Sequence, residues 1–361
     1  MRLMHLIHTP RYSGAETLVA ALAKLHTADG HVSTVVAMAP AENDFLAVIQ
    51  EQERIGIKWL YPESPLKKIG RLEYFREKSK EFRPDVIFAH SVLPAAYGRL
   101  AGLAPVISVL HDASENDYAN KTLRLSEFIL QYRSAGVIAV SPRAAKKYQS
   151  TFKRPIVQCI PNGIDIDAFK LKDRFVRQRI IRELNIPEDA IVVLQVGRVT
   201  VIKQQHLSIL ALGNLIYSNP KIHLLLVGIL EDEESVQRVR QAIVTTNSEK
   251  NVHLLGPRKD VSDLLAAADV YLMPSLQEAH SVAMIEALVS GVQIVASKIP
   301  PFEYVAAYAG VELIIPTDKN SFSDAISKAI GSINRYERNL SDYDIRTTAK
   351  KYIEFSKENI L

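Results

Sequence analysis

The chain has 361 residues, about twice a common single-domain length, so two domains of roughly 150–200 residues are expected. Its 47% hydrophobic and 23% charged content excludes disordered and collagen-like chains. A lone cysteine, Cys159, excludes an intrachain disulfide framework and any cysteine-based metal cluster, which makes a reducing compartment the expectation. The net charge of +4 is uneven, +5 over residues 1–170 and −1 over 171–361, so the first half meets a negative partner more readily.

The opening residues, MRLMHLIH, hold no apolar stretch long enough for a signal peptide, and nowhere do eighteen consecutive apolar residues occur. The expectation is a cytoplasmic protein, neither exported by that route nor membrane-spanning. Short β-rich runs then alternate with helical patterns: Leu3–His8, Gly14–Ala28, Val32–Ala37, a helix near Phe45–Ile55, Pro84–Ala89, Val106–Leu110 and Val137–Val140. Strands separated by helix-length segments predict βαβ units and a parallel sheet. After Ile160-Pro161-Asn162-Gly163 the polar stretch Lys170–Asn185, with Arg174, Arg177, Arg179 and Arg182, reads as an interdomain connection.

The pattern restarts with Ala190–Val196, a helix over about Gln205–Tyr217, Ile222–Val227, a helix near Glu233–Thr245, Val252–Leu254, Val261–Ala268, Val270–Met273, Ser281–Leu288 and Val292–Ala296. The fold class is therefore α/β, with two doubly wound, Rossmann-like domains over residues 1–168 and 169–344. A final helical stretch over 345–361 is expected to cross back to the first. Two such domains facing each other would form a cleft at the carboxyl ends of both sheets, where open α/β sheets bind ligands.

Three stretches carry chemistry. Ser13 and Glu16 fit a capping box ahead of Leu18, Val19, Leu22 and Leu25, and Gly14 would let a phosphate or sugar approach the helix amides; capping alone accounts for these residues equally well. No G-x-G-x-x-G follows the first strand, which counts against a dinucleotide oxidoreductase. Gly197-Arg198 at the end of a strand, with Lys203 five residues on, suits a diphosphate whose charge is neutralised as it departs; solvated surface cations are the simpler alternative.

The third stretch is Met273-Pro274-Ser275-Leu276-Gln277-Glu278-Ala279-His280-Ser281-Val282-Ala283-Met284-Ile285-Glu286. A helix beginning near Ser281 would offer free amides to phosphate oxygens. Helical rise would put Glu278 and Glu286 roughly 12 Å apart along the axis, too far for the close acid and nucleophile of a glycosidase. Two carboxylates so spaced could grip sugars at either end of a diphosphate, or could be a solvated helix face.

Taken with Gly256-Pro257-Arg258, Leu264-Leu265-Ala266-Ala267-Ala268-Asp269-Val270, Gly197-Arg198 and Lys203, this succession resembles the donor-binding half of the retaining E-x7-E (group 1) glycosyltransferases of GT-B fold. Pro161-Asn162-Gly163-Ile164-Asp165-Ile166-Asp167-Ala168-Phe169 is similar to that family's P-N-G-[IV]-D-x-x-x-F segment, and Ser13-Gly14-Ala15-Glu16 to its glycine loop. The resemblance implies a nucleotide-sugar donor, most often UDP-linked, bound by the second domain, and a glycan or lipid-linked acceptor held by the first, with retention at the anomeric carbon. On the matching positions Arg198 and Lys203 would hold the diphosphate, Glu286 the ribose, and Glu278 with the segment Ala279, His280, Ser281 and Val282 the donor sugar. Backbone at Pro257 and Arg258 would meet the base, and His111, closing Val106–Leu110, would face the donor sugar.

Three positions depart from the family pattern: Ala279 replaces a glycine, Gly228-Ile229-Leu230 replaces G-x-G, and Gln204 follows Lys203. Asp165-Ile166-Asp167 and Asp342-Tyr343-Asp344 match a metal-binding D-x-D, but the first lies within the P-N-G-I-D segment and Arg198 with Lys203 already supplies positive charge, so no metal and no cofactor are expected. The acidic run Glu231–Glu234 reads as the first turn of a helix.

The basic excess sits in residues 66–83 (+4) and 120–154 (+7). Solvated faces are the commonest cause of such clusters. With Leu72, Tyr74 and Phe75 interleaved in the first, an anionic membrane surface is an expected partner, and nucleic acid is not, since no binding motif accompanies the charge. The competing classes are a UDP-sugar epimerase of similar shape and a non-catalytic nucleotide-sugar or membrane binding module.

Overall fold

The structure, a computed structural model, describes residues 1–111, 120–169 and 173–360. The chain divides into two compact units, one of Met1–Ile164 with Ser341–Leu361 and one of Asp165–Leu340. The division falls a few residues before the 168/169 boundary expected from sequence.

The first unit runs β1 (Arg2–Ile7), α1 (Gly14–Ala28), β2 (Val32–Ala37), α2 (Leu46–Arg54), β3 (Lys58–Leu60), α3 (Lys68–Phe82), β4 (Val86–His90), α4 (Val92–Ala101), β5 (Val106–Leu110), α5 (Lys121–Leu130), β6 (Ser134–Ala139), α6 (Pro142–Thr151) and β7 (Val157–Cys159). The seven strands lie in the order β3-β2-β1-β4-β5-β6-β7, all parallel. Their central members read as continuous apolar runs because helices cover both faces. Leu3, Phe88, Ile107, Val109 and Ile138 line one face; Met4, Leu6, Ile87 and Ala89 line the other, with Phe75 of α3.

The second unit runs α7 (Arg174–Glu183), β8 (Ile191–Val196), α8 (Gln205–Ser218), β9 (Ile222–Val227), α9 (Glu233–Thr246), β10 (Val252–Gly256), α10 (Val261–Ala267), β11 (Val270–Met273), α11 (Val282–Val289), β12 (Gln293–Ser297), β13 (Val311–Ile314) and α12 (Lys319–Gly331). Its six parallel strands are ordered β10-β9-β8-β11-β12-β13, so the order reverses beside β8.

The last helix, α13 (Ile345–Ile360), belongs to the first unit, where Ile345, Ala349, Tyr352, Ile353 and Phe355 enter the core. Burying the large side chains stabilises the unit by about 1.5–3 kcal/mol each. Gly163 lies under the start of α13, and a Cβ there would stand 2.6 Å from the Ile345 Cα. Ile164 donates to the Tyr343 carbonyl and accepts from the Ile345 amide, both at 2.9 Å. The P-N-G-I segment is thus built to receive the returning chain.

The expected connection Lys170–Asn185 is instead largely the helix α7, a part of the second unit. Four arginines made it read as solvated, but Ile180 and Ile181 are buried and Arg177 turns inward to Asp269 at 3.0 Å. Arg177 also donates to the Ala267 and Ala190 carbonyls. No helix among the described residues is long and apolar enough to cross a membrane.

Candidate functional site

In the second unit the loops leaving β8, β9 and β10 are laced together by backbone. Gly197 donates to the Val227 carbonyl (2.8 Å), Gly228 to that of Gly256 (2.9 Å), and Val199 to that of Ile229 (2.8 Å). Gly228 has φ +148°, and a Cβ on it would stand 2.1 Å from the Gly197 oxygen, so only glycine fits. This gives Gly228 the role that its departure from G-x-G left open: it lets the β9 loop press against the turn carrying Arg198.

Two further bonds fix that turn. Gln195 donates to the Lys203 carbonyl (2.8 Å), and the Leu276 amide reaches back to the Ile202 carbonyl (2.8 Å). The Leu276 bond brings the β11 loop beside residues 201–203, and Lys203 Nζ pairs with the Glu278 carboxylate. Their side chains are 20% and 8% exposed, so the pair is largely shielded from water.

Glu278 lies before α11, which begins at Val282, while Glu286 stands on α11 itself. The roughly 12 Å axial spacing expected for a helical pair therefore does not apply, because only one of the two is helical. Loss of hydration raises the Glu286 carboxyl to about 7. Beneath both sits Tyr271 of β11, fully buried, its hydroxyl kept protonated by burial and by the charges of Glu286 and Glu278. Sequence reasoning passed over Tyr271; the signal available was a hydroxyl-bearing residue in the otherwise apolar run Val270–Met273.

Ser281 caps α11, its Oγ accepting from the Met284 amide at 3.4 Å, and the Val282 and Ala283 amides are in the first turn, where helices leave donors unpaired. His280 is buried, its ring stacked on Tyr304 at 5.7 Å, and Ala279 is half-buried between it and Glu278.

Arg198 pairs with Glu231 at 2.7 Å, both half-exposed. The acidic run is therefore divided: Asp232 caps α9, Glu233 and Glu234 occupy its first turn, and Glu231 serves Arg198. Arg258 spends its guanidinium on Asp260 (2.7 and 2.8 Å) and Glu183 (2.6 Å). Of the Pro257-Arg258 pair, the main chain is what remains to meet a base.

In the first unit Gly14 opens α1, after Ser13. The capping box does not form: Ser13 Oγ donates to the Glu16 carboxylate and accepts no helix amide. Burial raises the Glu16 carboxyl, and the Ser13 hydroxyl bond opposes that rise. His111 follows β5, with Nε2 2.8 Å from His90 Nδ1, and burial lowers its pKa to about 4, so the ring is neutral near pH 7. Residues 112–119, which follow His111, lie outside the described residues. Asp342 and Asp344 of the rejected second D-x-D face Lys351 (3.7 Å) and Arg346 (2.6 Å).

Two family profiles match the chain: glycosyl transferases group 1 over residues 176–343 and glycosyltransferase family 4 over 12–168. Among curated relatives, lipopolysaccharide glucosyltransferase WaaG of Escherichia coli is 30% identical over 51% of this chain and 49% of its own length. The UDP-Gal:alpha-D-GlcNAc-diphosphoundecaprenol alpha-1,3-galactosyltransferase of Escherichia coli is 25% identical over 61% and 59%. The chain thus spans about half the length of the first of these. Among solved structures, HepE of Anabaena in complex with UDP superposes with a TM-score of 0.84 at 20% identity, covering 99% of this chain and 100% of that one. The two profiles meet near the observed division of the chain and together account for most of its length, and the chain belongs to the group 1 glycosyltransferases of GT-B fold.

Proposed function

We propose that this protein transfers a sugar from a UDP-linked donor to a glycan or lipid-linked acceptor, with retention at the anomeric carbon, in the assembly of a surface polysaccharide or lipopolysaccharide. The observation that carries this reading is the Lys203–Glu278 pair, joining the loops that leave β8 and β11, with Glu286 on α11, the helix that follows Glu278. It combines a cation for a diphosphate, carboxylates for hydroxyl-rich partners and helix amides for anionic oxygens within one unit.

In this scheme Lys203 and Arg198 leave Glu278 and Glu231 to hold the diphosphate, neutralising the charge that grows as the sugar–phosphate bond breaks. Glu286 accepts from the ribose hydroxyls. Glu278, released from Lys203, accepts from a hydroxyl of the donor sugar together with the Ala279–Val282 segment, and His111 offers a neutral imidazole to the sugar in transit. The protein cations take the place of a divalent metal, so transfer is expected to continue in EDTA. The choice of UDP follows the HepE complexes with UDP and UDP-glucose and the UDP-linked donor of the galactosyltransferase relative. Calorimetry with UDP and GDP tests it: micromolar UDP binding, weakened by Glu286→Ala, is expected, and tight GDP binding without UDP binding contradicts it.

The basic first unit supports docking on the cytoplasmic face of an anionic membrane, through the second of its two basic segments more than the first. Leu72 and Tyr74 pack against the core with buried Phe75, so within residues 66–83 Ile69 is the one large apolar side chain left exposed. Helix α5 and the turn after it instead expose Leu125 (62%), Ile129 (65%) and Tyr132 (66%), with Lys121, Arg124 and Arg133 exposed alongside. Flotation with phosphatidylglycerol vesicles that is lost in Leu125→Glu/Ile129→Glu and at high salt is expected. Equal recovery with neutral and anionic vesicles contradicts it.

A further inference from the structure

Three histidines form a column through the first unit. His5 of β1, His90 of β4 and His111 after β5 sit on adjacent strands, on the sheet face that also carries Leu3, Phe88 and Val109. His5 Nδ1 lies 3.1 Å from His90 Nε2, and His90 Nδ1 lies 2.8 Å from His111 Nε2. The rings stack at 5.4 and 5.1 Å between centroids. The column steps from the interior of the sheet to the carboxyl ends of the strands.

Burial lowers the pKa of all three rings, so each is neutral near pH 7 and carries one N–H and one lone pair. Each N···N bond needs one of each, so the protons run in one direction along the whole column. Either every ring bears its proton on Nδ1 or every ring bears it on Nε2. The second pattern ends on a His5 Nε2–H deep in the unit, where that atom has no partner. His26 stacks on His5 at 5.8 Å but makes no hydrogen bond to it, and its own Nε2 faces the Ala349 carbonyl at 3.1 Å. The first pattern leaves only a lone pair at fully buried His5 and moves the unpaired donor to His111 Nδ1, an atom also shielded from water but on a half-buried residue at the strand ends. A donor without an acceptor is the rarer buried defect, and a ligand oxygen can relieve it only at that end.

We propose that His90, backed by His5, is a positioning residue that fixes the tautomer of His111 with the proton on Nδ1, so that a neutral imidazole donates to an oxygen of the sugar being transferred. The sugar as recipient rests on the proposed function; the tautomer does not. His5 Nδ1–H pairs the His90 Nε2 lone pair in that pattern, so the column is satisfied from the middle of the sheet to its edge.

The test is the 15N spectrum of the full chain labelled at histidine, at neutral pH without ligand. His5, His90 and His111 are expected as Nδ1–H, the minority form of free histidine, with His26 in the opposite form as an internal contrast. His111 found as Nε2–H in the wild type overturns the proposal, whatever the variants do. His90→Asn keeps a donor where Nδ1 stood and His90→Leu removes it. The leucine variant is expected to return His111 to Nε2–H and to lower kcat for transfer about tenfold with UDP affinity unchanged, while the asparagine variant retains both. An unchanged His111 tautomer in His90→Leu overturns the proposal. An intact Nδ1–H pattern in a protein that transfers no sugar supports the column and counts against the proposed function alone.

Discussion

Replacing Glu278 with glutamine removes the carboxylate that occupies Lys203 before a donor arrives. A diphosphate must compete with that carboxylate for the ammonium, so the free protein holds a built-in opponent of donor binding. Ion pairs in full solvent are worth about 0.2–1 kcal/mol. With side chains 20% and 8% exposed, this one belongs at the upper end, at about 1 kcal/mol. Removing it should tighten UDP binding about fivefold by calorimetry. The gain should shrink as salt rises, since screening lengths fall from about 10 Å at 0.1 M to about 3 Å at 1 M. The same variant should transfer sugar at least tenfold more slowly, because the charged acceptor for the sugar hydroxyl is replaced by a neutral amide. Lys203→Ala should act in the opposite sense on UDP. UDP binding that weakens or stays unchanged in Glu278→Gln would refute the competition.

Glu286 titrates near 7 in the folded chain, above an ordinary carboxylate, so its contribution to stability is complete below about pH 4.5 and is lost as the pH rises through 7. Glu286→Gln should therefore raise the thermal midpoint at pH 8 more than at pH 5, by the equivalent of about 2 kcal/mol, and equal shifts at both would contradict the assignment. Gly228→Ala forces a methyl against the Gly197 carbonyl and should cost about 2–4 kcal/mol by urea unfolding and weaken UDP binding; unaltered stability would show that the two loops can part. Arg99 and Glu127, each 1% exposed and joined at 2.5 and 2.8 Å, hold α4 to α5. Glu127→Ala should cost about 3–5 kcal/mol, and Arg99→Met/Glu127→Leu should recover most of it in the same unfolding assay.

What could be read from the sequence was periodic or contiguous. Six-residue strands apolar at five positions and followed by glycine mark β8 and β9, and the segment from Met273 to Glu286 keeps its site residues within one loop and one helix. What escaped was made by contacts between distant residues. His5 and His90 are 85 positions apart and each looks like an ordinary strand residue until β1 and β4 pair. The approach of Gly228 to Gly197 depends on two loops meeting, and Tyr271 gains its meaning only from the two glutamates above it. Charge misled in α7, whose arginines concealed a helix that packs inward, and the aromatic and apolar residues singled out in α3, Leu72, Tyr74 and Phe75, are packed while Leu125, Ile129 and Tyr132 of the second basic segment are exposed.

The central claim is that the second unit holds a UDP-sugar whose sugar passes to an acceptor. The most direct measurement incubates the full chain with a panel of UDP- and GDP-sugars, with and without lipid-linked and glycan acceptors, and follows nucleotide release and the anomeric configuration of the product by NMR. The account predicts UDP release that requires an acceptor, an α-linked product from an α-linked donor, and loss of release in Lys203→Ala. Conversion of the donor into another UDP-sugar without any acceptor, or donor binding with no release under any condition, would contradict it.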